Sequence, residues 1–392
     1  MTIAHPIGRD WISTGGTGAQ NYDEFADDAE ITAIIAENPS SALAVEMPHR
    51  APQSLGRPLL DCLPDAAARL RAAKDDGHYA GASDVVALYR ITGPDGARAH
   101  GLWCMVDTDQ ISTSADEPGL VIRNEDVFIE KVRERVVLAE AIGHLLSPVL
   151  LLQTGRGDDL HAELARVTAA AGAPDVVDVD PAGRHHEVWT VGAGPTRDRL
   201  LDLAGGGELV VADGNHRSLA AQTAGYPRFL AVVTTPASVA IQPYNRLVSE
   251  LTGDVSAAGT ARSLAGRPSG PTEGGVVQVY SRAGALALTL PPTPGADVVD
   301  NLDHALVEQR LFGEVLGLDA GDKRITYVGG DYPASWLCDE VDAGRAALAV
   351  LIAPVTVDDF VAVNLARQKM PRKSTWFTPK ARAGLVVAEI GI

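Results

Sequence analysis

The chain has 392 residues, room for two or three domains at roughly 100–200 residues each, and 46% of them are hydrophobic. Its 33 basic residues stand against 51 acidic ones, a formal net charge of −18. That charge argues against nucleic acid and anionic membranes as partners and favours a small molecule.

No apolar run approaches the roughly 20 residues of a membrane span. The opening MTIAHPIGRDWISTGG lacks the basic start, apolar stretch and cleavage site of a secretory signal, so the expected location is cytoplasmic. Cys62, Cys104 and Cys338 are odd in number and far apart, and read as buried small apolar residues rather than as a disulfide or metal framework.

In chain order, an acidic stretch from Tyr22 to Glu30 leads into the helical ITAIIAEN, and SALAVEMP after Pro39 reads as a strand. DAAARLRAAKDDG has Leu70 at helical spacing from Ala66, Ala67 and Ala73. SDVVALYRIT and AHGLWCMVD then form two strands around a Gly-Pro-Asp-Gly turn, and DTDQISTSADEPG is an exposed connector. Val121 to Gly143 is helical in pattern, with Val127, Ile129, Val132, Val136, Leu138 and Ile142 set among charges.

LSPVLLLQT reads as a buried strand, DLHAELARVTAAAG as a helix, and DVVDVD and HHEVWTVG as strands. ELVVA, the turn DGNHR, the helix SLAAQTAGY with Gly225 as its stop, and FLAVVTT make a compact strand-helix-strand unit. The Gly-, Ser- and Pro-rich stretch after Thr252 is a loop or boundary; strands VVQVYS and ALALTLPP, the amphipathic helix LDHALVEQRLFGEVLG, and strands RITYVG, AALAVLIAPV and LVVAEI follow. The fold class is α/β (α+β) in three parts: an N-terminal α+β lobe, 1–115; a phosphate-binding domain, 116–252; and a C-terminal α+β lobe, 253–392.

The turn Asp213-Gly214-Asn215-His216-Arg217 is the main candidate for chemistry. A strand running into a glycine turn and a helix presents unpaired backbone N–H groups and a positive dipole end. Gly214 allows close backbone approach, His216 and Arg217 can hold phosphate oxygens, and Asp213 can hold a metal ion or a substrate hydroxyl. Equally, Asp213 can cap the helix and pair with Arg217; the residues alone leave both open.

Arg123-Asn124-Glu125 opens the helix that carries Lys131 and Arg135, and Pro243-Tyr244-Asn245-Arg246 closes the strand after the turn helix. The segment RQKMPRKSTWFTPKAR, from Arg367 to Arg382, holds six basic residues and no acidic one, an island suited to an anionic ligand. His185-His186-Glu187 suits metal poorly, since neighbours on a strand face opposite ways. Neither a Walker A pattern nor GxGxxG or GxSxG is present.

The whole chain resembles domain of unknown function family 1015. The resemblance rests on Asn21-Tyr22-Asp23, Arg123-Asn124-Glu125 with Lys131 and Glu134-Arg135, Ala212 to Arg217, Pro243 to Arg246, and Met370 to Lys380. The middle section also resembles the ParB and sulfiredoxin-like fold in its free serine kinase branch, where a helix-start glutamate precedes an aspartate-glycine-histidine-histidine-arginine turn. This resemblance implies a ParB/sulfiredoxin-like nucleotide-binding core flanked by the two α+β lobes.

It further implies ATP, ADP or another nucleotide with Mg²⁺ as cofactors, and an amino acid or phosphorylated amino acid as substrate. Catalytic roles fall on Glu125, Asp213 and His216, with Asp213 as metal ligand. Nucleotide binding falls on Gly214, Asn215, His216, Arg217, Arg246, Lys373, Ser374 and Thr375, and a homodimer is allowed. The implied reaction is phosphorylation of serine or a similar hydroxyl; hydrolysis at the same site, or nucleotide sensing without turnover, are the alternatives. Asn124, Asn215 and Asn245 stand where these families show histidine, and asparagine does not titrate near neutrality.

Overall fold

The computed structural model describes residues 2–112, 119–319 and 321–390. The chain folds as two compact units, Met1–Val239 with Pro379–Ile392, and Ala240–Thr378. This differs from the three lobes expected. Strands on either side of residue 115 share one sheet: Arg228–Thr234 pairs antiparallel with Arg98–Asp107 and parallel with Val149–Gln153. The connector read at residues 107–119 lies partly outside the described residues.

The first unit is built on a 13-stranded mixed sheet. The hairpin of Tyr79–Thr92 and Arg98–Asp107 forms as its alternation and turn predict. Leu209–Asp213 lies beside Val149–Gln153 in the order Val121–Ile122, Leu209–Asp213, Val149–Gln153, Arg228–Thr234. Helices Gly157–Ala170 and Pro195–Ala204 bury Leu160, Leu164, Leu200 and Leu203 in one core with Val149, Leu151 and Val211 of the sheet. In a second core, helix Leu59–Asp75 packs Ala66 and Leu70 with Leu43, Leu138 and Val387.

Three local readings change. SALAVEMP is a helix, Ala42–Glu46, capped by Ser41, whose hydroxyl accepts from the Leu43 N–H. Its unbroken apolar run is buried on every side, so periodicity could not separate helix from strand. Val121–Ile122 is a short strand parallel to Leu209–Val210, and the helix starts only at Ile129. Arg123-Asn124-Glu125 therefore lies in the loop before that helix, not in its first turn. LVVAEI, read as part of the C-terminal lobe, supplies Val386–Glu389 to the first unit by pairing with Asp10–Ile12.

The second unit holds a six-stranded sheet, in the order Thr260–Leu264, Gly284–Thr289, Val277–Ser281, Leu348–Leu351, Asn245–Val248, Ile325–Val328. Thr260–Leu264 comes from the stretch read as a loop. Phe312, Leu311 and Leu348 fill one core, and Leu337, Val341 and Leu351 another. No helix among the described residues is long and apolar enough to cross a membrane.

Candidate functional site

The strand Leu209–Asp213 is buried along its first four residues and slips register just before the turn. Val211 faces Leu151 and Asp213 faces Leu150, so Ala212 is the extra residue of a bulge. A bulge bends its strand and re-aims the side chain that follows, here Asp213. Gly214 then turns the chain at φ +97° into helix Asn215–Thr223. No side chain caps that helix, so the capping role considered for Asp213 is not what is found.

Asp213 meets two cations, the first of them through the Arg217 pairing that the residues alone had left open. Arg217 Nη2 donates to its Oδ2 at 2.5 Å, and Lys380 Nζ stands 3.4 Å from its Oδ1. Arg217 Nη1 also donates to Asn21 Oδ1 at 3.0 Å. Both oxygens of Asp213, the residue expected as metal ligand, thus face cations in this structure. Among the described residues, no group of three or more His, Cys, Asp and Glu side chains is placed to hold a metal ion.

The loop before helix Ile129–Ile142 is pinned over the turn at two points. Asn215 Nδ2 donates to Asn124 Oδ1 at 2.5 Å. The Phe128 N–H donates to His216 Nε2 at 3.1 Å, and the two rings stack 6.3 Å apart. The Nε2 of His216, a residue expected to hold phosphate oxygens, is engaged here by the Phe128 N–H. Glu125 lies half-buried between these two ties.

Two further residues beside the turn were not among the sequence candidates. Glu24 is buried, accepts the Asn21 N–H at 2.8 Å, and has its pKa pushed up to about 7 by burial, against the opposing pull of Lys380. Asn21 itself ties Arg217 to the segment after Lys380, since its Nδ2 donates to the Ala381 carbonyl at 3.5 Å. The motif Asn21-Tyr22-Asp23 and the motif ending at Lys380 were both legible, but their meeting at Arg217 and Asp213 was not.

In the second unit, Arg246 is fully buried. Its Nη1 donates to the carbonyls of Tyr244 and Asn245, its Nε lies 3.3 Å from Glu308, and Tyr327 stacks on it at 4.5 Å. Lys373 Nζ lies 5.6 Å from the Tyr244 ring centre, so Lys373 and Arg246 share an aromatic neighbour. Ser374 is buried and Thr375 half-buried. His185 is exposed, while His186 is buried between Tyr89 and Asp180. That opposite facing is the strand geometry expected for neighbours.

Gly214 is the residue this turn can least replace. A Cβ there would lie 2.8 Å from Arg217 Nε and 3.2 Å from Val149 Cα, at a φ that L side chains rarely adopt. Gly214→Ala is expected to cost about 2 kcal/mol or more, from backbone strain and displacement of Arg217. Denaturant unfolding checks this, and an unchanged midpoint would refute it.

No curated protein matches the chain. Among solved structures, a free serine kinase in complex with AMP aligns at 11% identity over 70% of this chain and 87% of its own, with a TM-score of 0.40. A conserved hypothetical protein from Pyrococcus furiosus aligns at 11% identity, 72% and 95% coverage and a TM-score of 0.40. SbnI with a C-terminal truncation, from Staphylococcus aureus, aligns at 12% identity, 73% and 87% coverage and a TM-score of 0.40. Likeness at this level fixes neither a site nor a reaction. A family model matches residues 17–305, and the chain belongs to the family described as protein of unknown function (DUF1015).

Proposed function

We propose that the protein is a nucleotide-dependent phosphotransferase acting on the hydroxyl of serine or a similar amino acid, on a ParB/sulfiredoxin-like nucleotide-binding core. The observation that carries this reading is the double tie of the Glu125 loop to the turn, Asn124 to Asn215 and Phe128 to His216. It sets a carboxylate-bearing loop beside a glycine turn and a helix start that no side chain caps. Such a start offers backbone N–H groups to phosphate oxygens.

In the proposed reaction, the acceptor hydroxyl oxygen forms a bond to the terminal phosphorus of ATP or ADP. The bond from phosphorus to the leaving diphosphate or monophosphate breaks, and Glu125 takes the hydroxyl proton. Phosphoryl transfer depends mainly on positioning and charge neutralisation, and Lys380, beside Asp213 at the strand end, supplies a cation there. For Arg246, Lys373, Ser374 and Thr375, a phosphate-binding role rests on their motifs alone.

Phosphorus NMR with ATP or ADP, Mg²⁺ and L-serine tests the reading. A new phosphomonoester is expected, and its rate should fall by about 100-fold or more in Glu125→Gln, in line with loss of a general base. Unchanged turnover in that variant removes Glu125 from the mechanism. The Asn124–Asn215 pair, which cannot move protons near neutral pH, favours a second reading as a nucleotide sensor. Nucleotide binding by calorimetry with no product after hours would select it.

A further inference from the structure

Behind the turn, helices Ile129–Ile142 and Asn215–Thr223 enclose a cleft whose empty space, counted to its open mouth, is about 560 Å³. Its walls are apolar, with Leu138, Ile142, Leu146, Val149, Ala221 and Phe229 among them. The polar groups on its wall include Glu46, Arg135 and Arg217. Glu46 and Arg135 are only 3% and 6% exposed.

These groups are incompletely satisfied. Glu46 Oε1 accepts from the Ser147 hydroxyl at 2.7 Å, but Arg135 Nη1 reaches the same oxygen only at 3.5 Å, and Arg135 Nη2 reaches Met47 Sδ at 3.8 Å. Arg135 Nε, Arg217 Nε and Glu46 Oε2 are buried without a hydrogen-bond partner. A buried polar atom left unpaired is costly, most of all on a charged group. Two guanidinium groups and one carboxylate, each with an atom left unpaired, border an apolar cleft, and together they suit one class of small molecule: a carboxylate and an ammonium on the same carbon, bearing an apolar side chain.

We infer that this cleft binds a large apolar α-amino acid such as leucine, its carboxylate on Arg135 and Arg217, its ammonium on Glu46, and its side chain among the apolar walls. This inference does not depend on the phosphotransfer reading, because it rests on the cleft wall and on the side chains of Glu46, Arg135 and Arg217, to which that reading gives no role.

Calorimetry on the full chain, without nucleotide, tests it with four probes. L-Leucine is expected to bind at least about 10-fold more tightly than L-serine, which lacks the apolar side chain, since each buried methylene is worth a factor of about four in affinity. It should also bind at least about 10-fold more tightly than 4-methylpentanoate, which lacks the ammonium, and 3-methylbutylamine, which lacks the carboxylate. Ala139→Phe, which fills the cleft, should weaken leucine at least about 10-fold; Ile142→Trp at the half-exposed wall is the second variant should the first not fold. Leucine binding no tighter than serine or either single-headed probe, affinity unchanged in a folded filled variant, or no leucine binding at millimolar concentration would each overturn the inference.

Discussion

Arg217→Met is expected to lower the stability of the first unit by about 3 kcal/mol, the usual scale for removing one partner of a buried ion pair. Arg217 is largely buried and binds Asp213 and Asn21 at once. Methionine fills similar space but leaves the Asp213 carboxylate with Lys380 at 3.4 Å as its remaining ion-pair partner. In a unit of this size the loss corresponds to a fall in melting temperature of roughly 6–12 °C.

Arg217→Lys should fall between the natural chain and the methionine variant, because a lysine keeps the charge without the planar fork that reaches both partners. The double variant Asp213→Asn with Arg217→Met should lose clearly less than the two single losses added together, since the two residues are in direct contact. Additive losses would mean that the pair does not act as one.

The second large effect is a pH dependence centred on Asp10. This residue is 1% exposed on the strand Ile7–Ser13, and both its carboxylate oxygens lack a hydrogen-bond partner. Burial pushes its pKa from 3.8 to about 7. The folded state therefore holds a proton that the unfolded chain has released at intermediate pH, and stability from this group falls as pH rises from about 4 to about 7. Glu24, raised from 4.5 to about 7, contributes with the same sign.

Asp10→Asn keeps the shape and removes the titration. Near pH 4 the variant and the natural chain should have similar stability; at pH 8 the variant should be more stable by about 2–4 kcal/mol. Denaturant unfolding from pH 4 to 8 reads the difference directly. Parallel profiles for the two proteins would show that Asp10 does not carry this dependence.

Both effects arise from residues whose roles the linear pattern does not reveal. Asp10 sits in IGRDWIS among residues of both kinds, and nothing in that string marks it as buried. Its burial follows from strands Tyr79–Thr92 and Val386–Glu389 pairing on its two sides. Arg217 was legible as part of the turn, yet its second partner, Asn21, lies 196 positions away. Position in the turn allowed either a phosphate ligand or a partner for Asp213; the structure pairs it with Asp213 and adds Asn21.

Local pattern was enough to place the hairpin around Gly-Pro-Asp-Gly, the strand-turn-helix at Asp213 to Arg217, and the stop at Gly225, which takes φ +71°. These features are local: alternation, turn residues and glycine's access to positive φ act over a few positions. Long-range packing makes SALAVEMP a helix, joins LVVAEI to the N-terminal strand, and sets Lys380 against Asp213 across 167 positions. Those outcomes depend on which apolar faces and charged groups meet after folding, and spacing along the chain carries no record of that meeting.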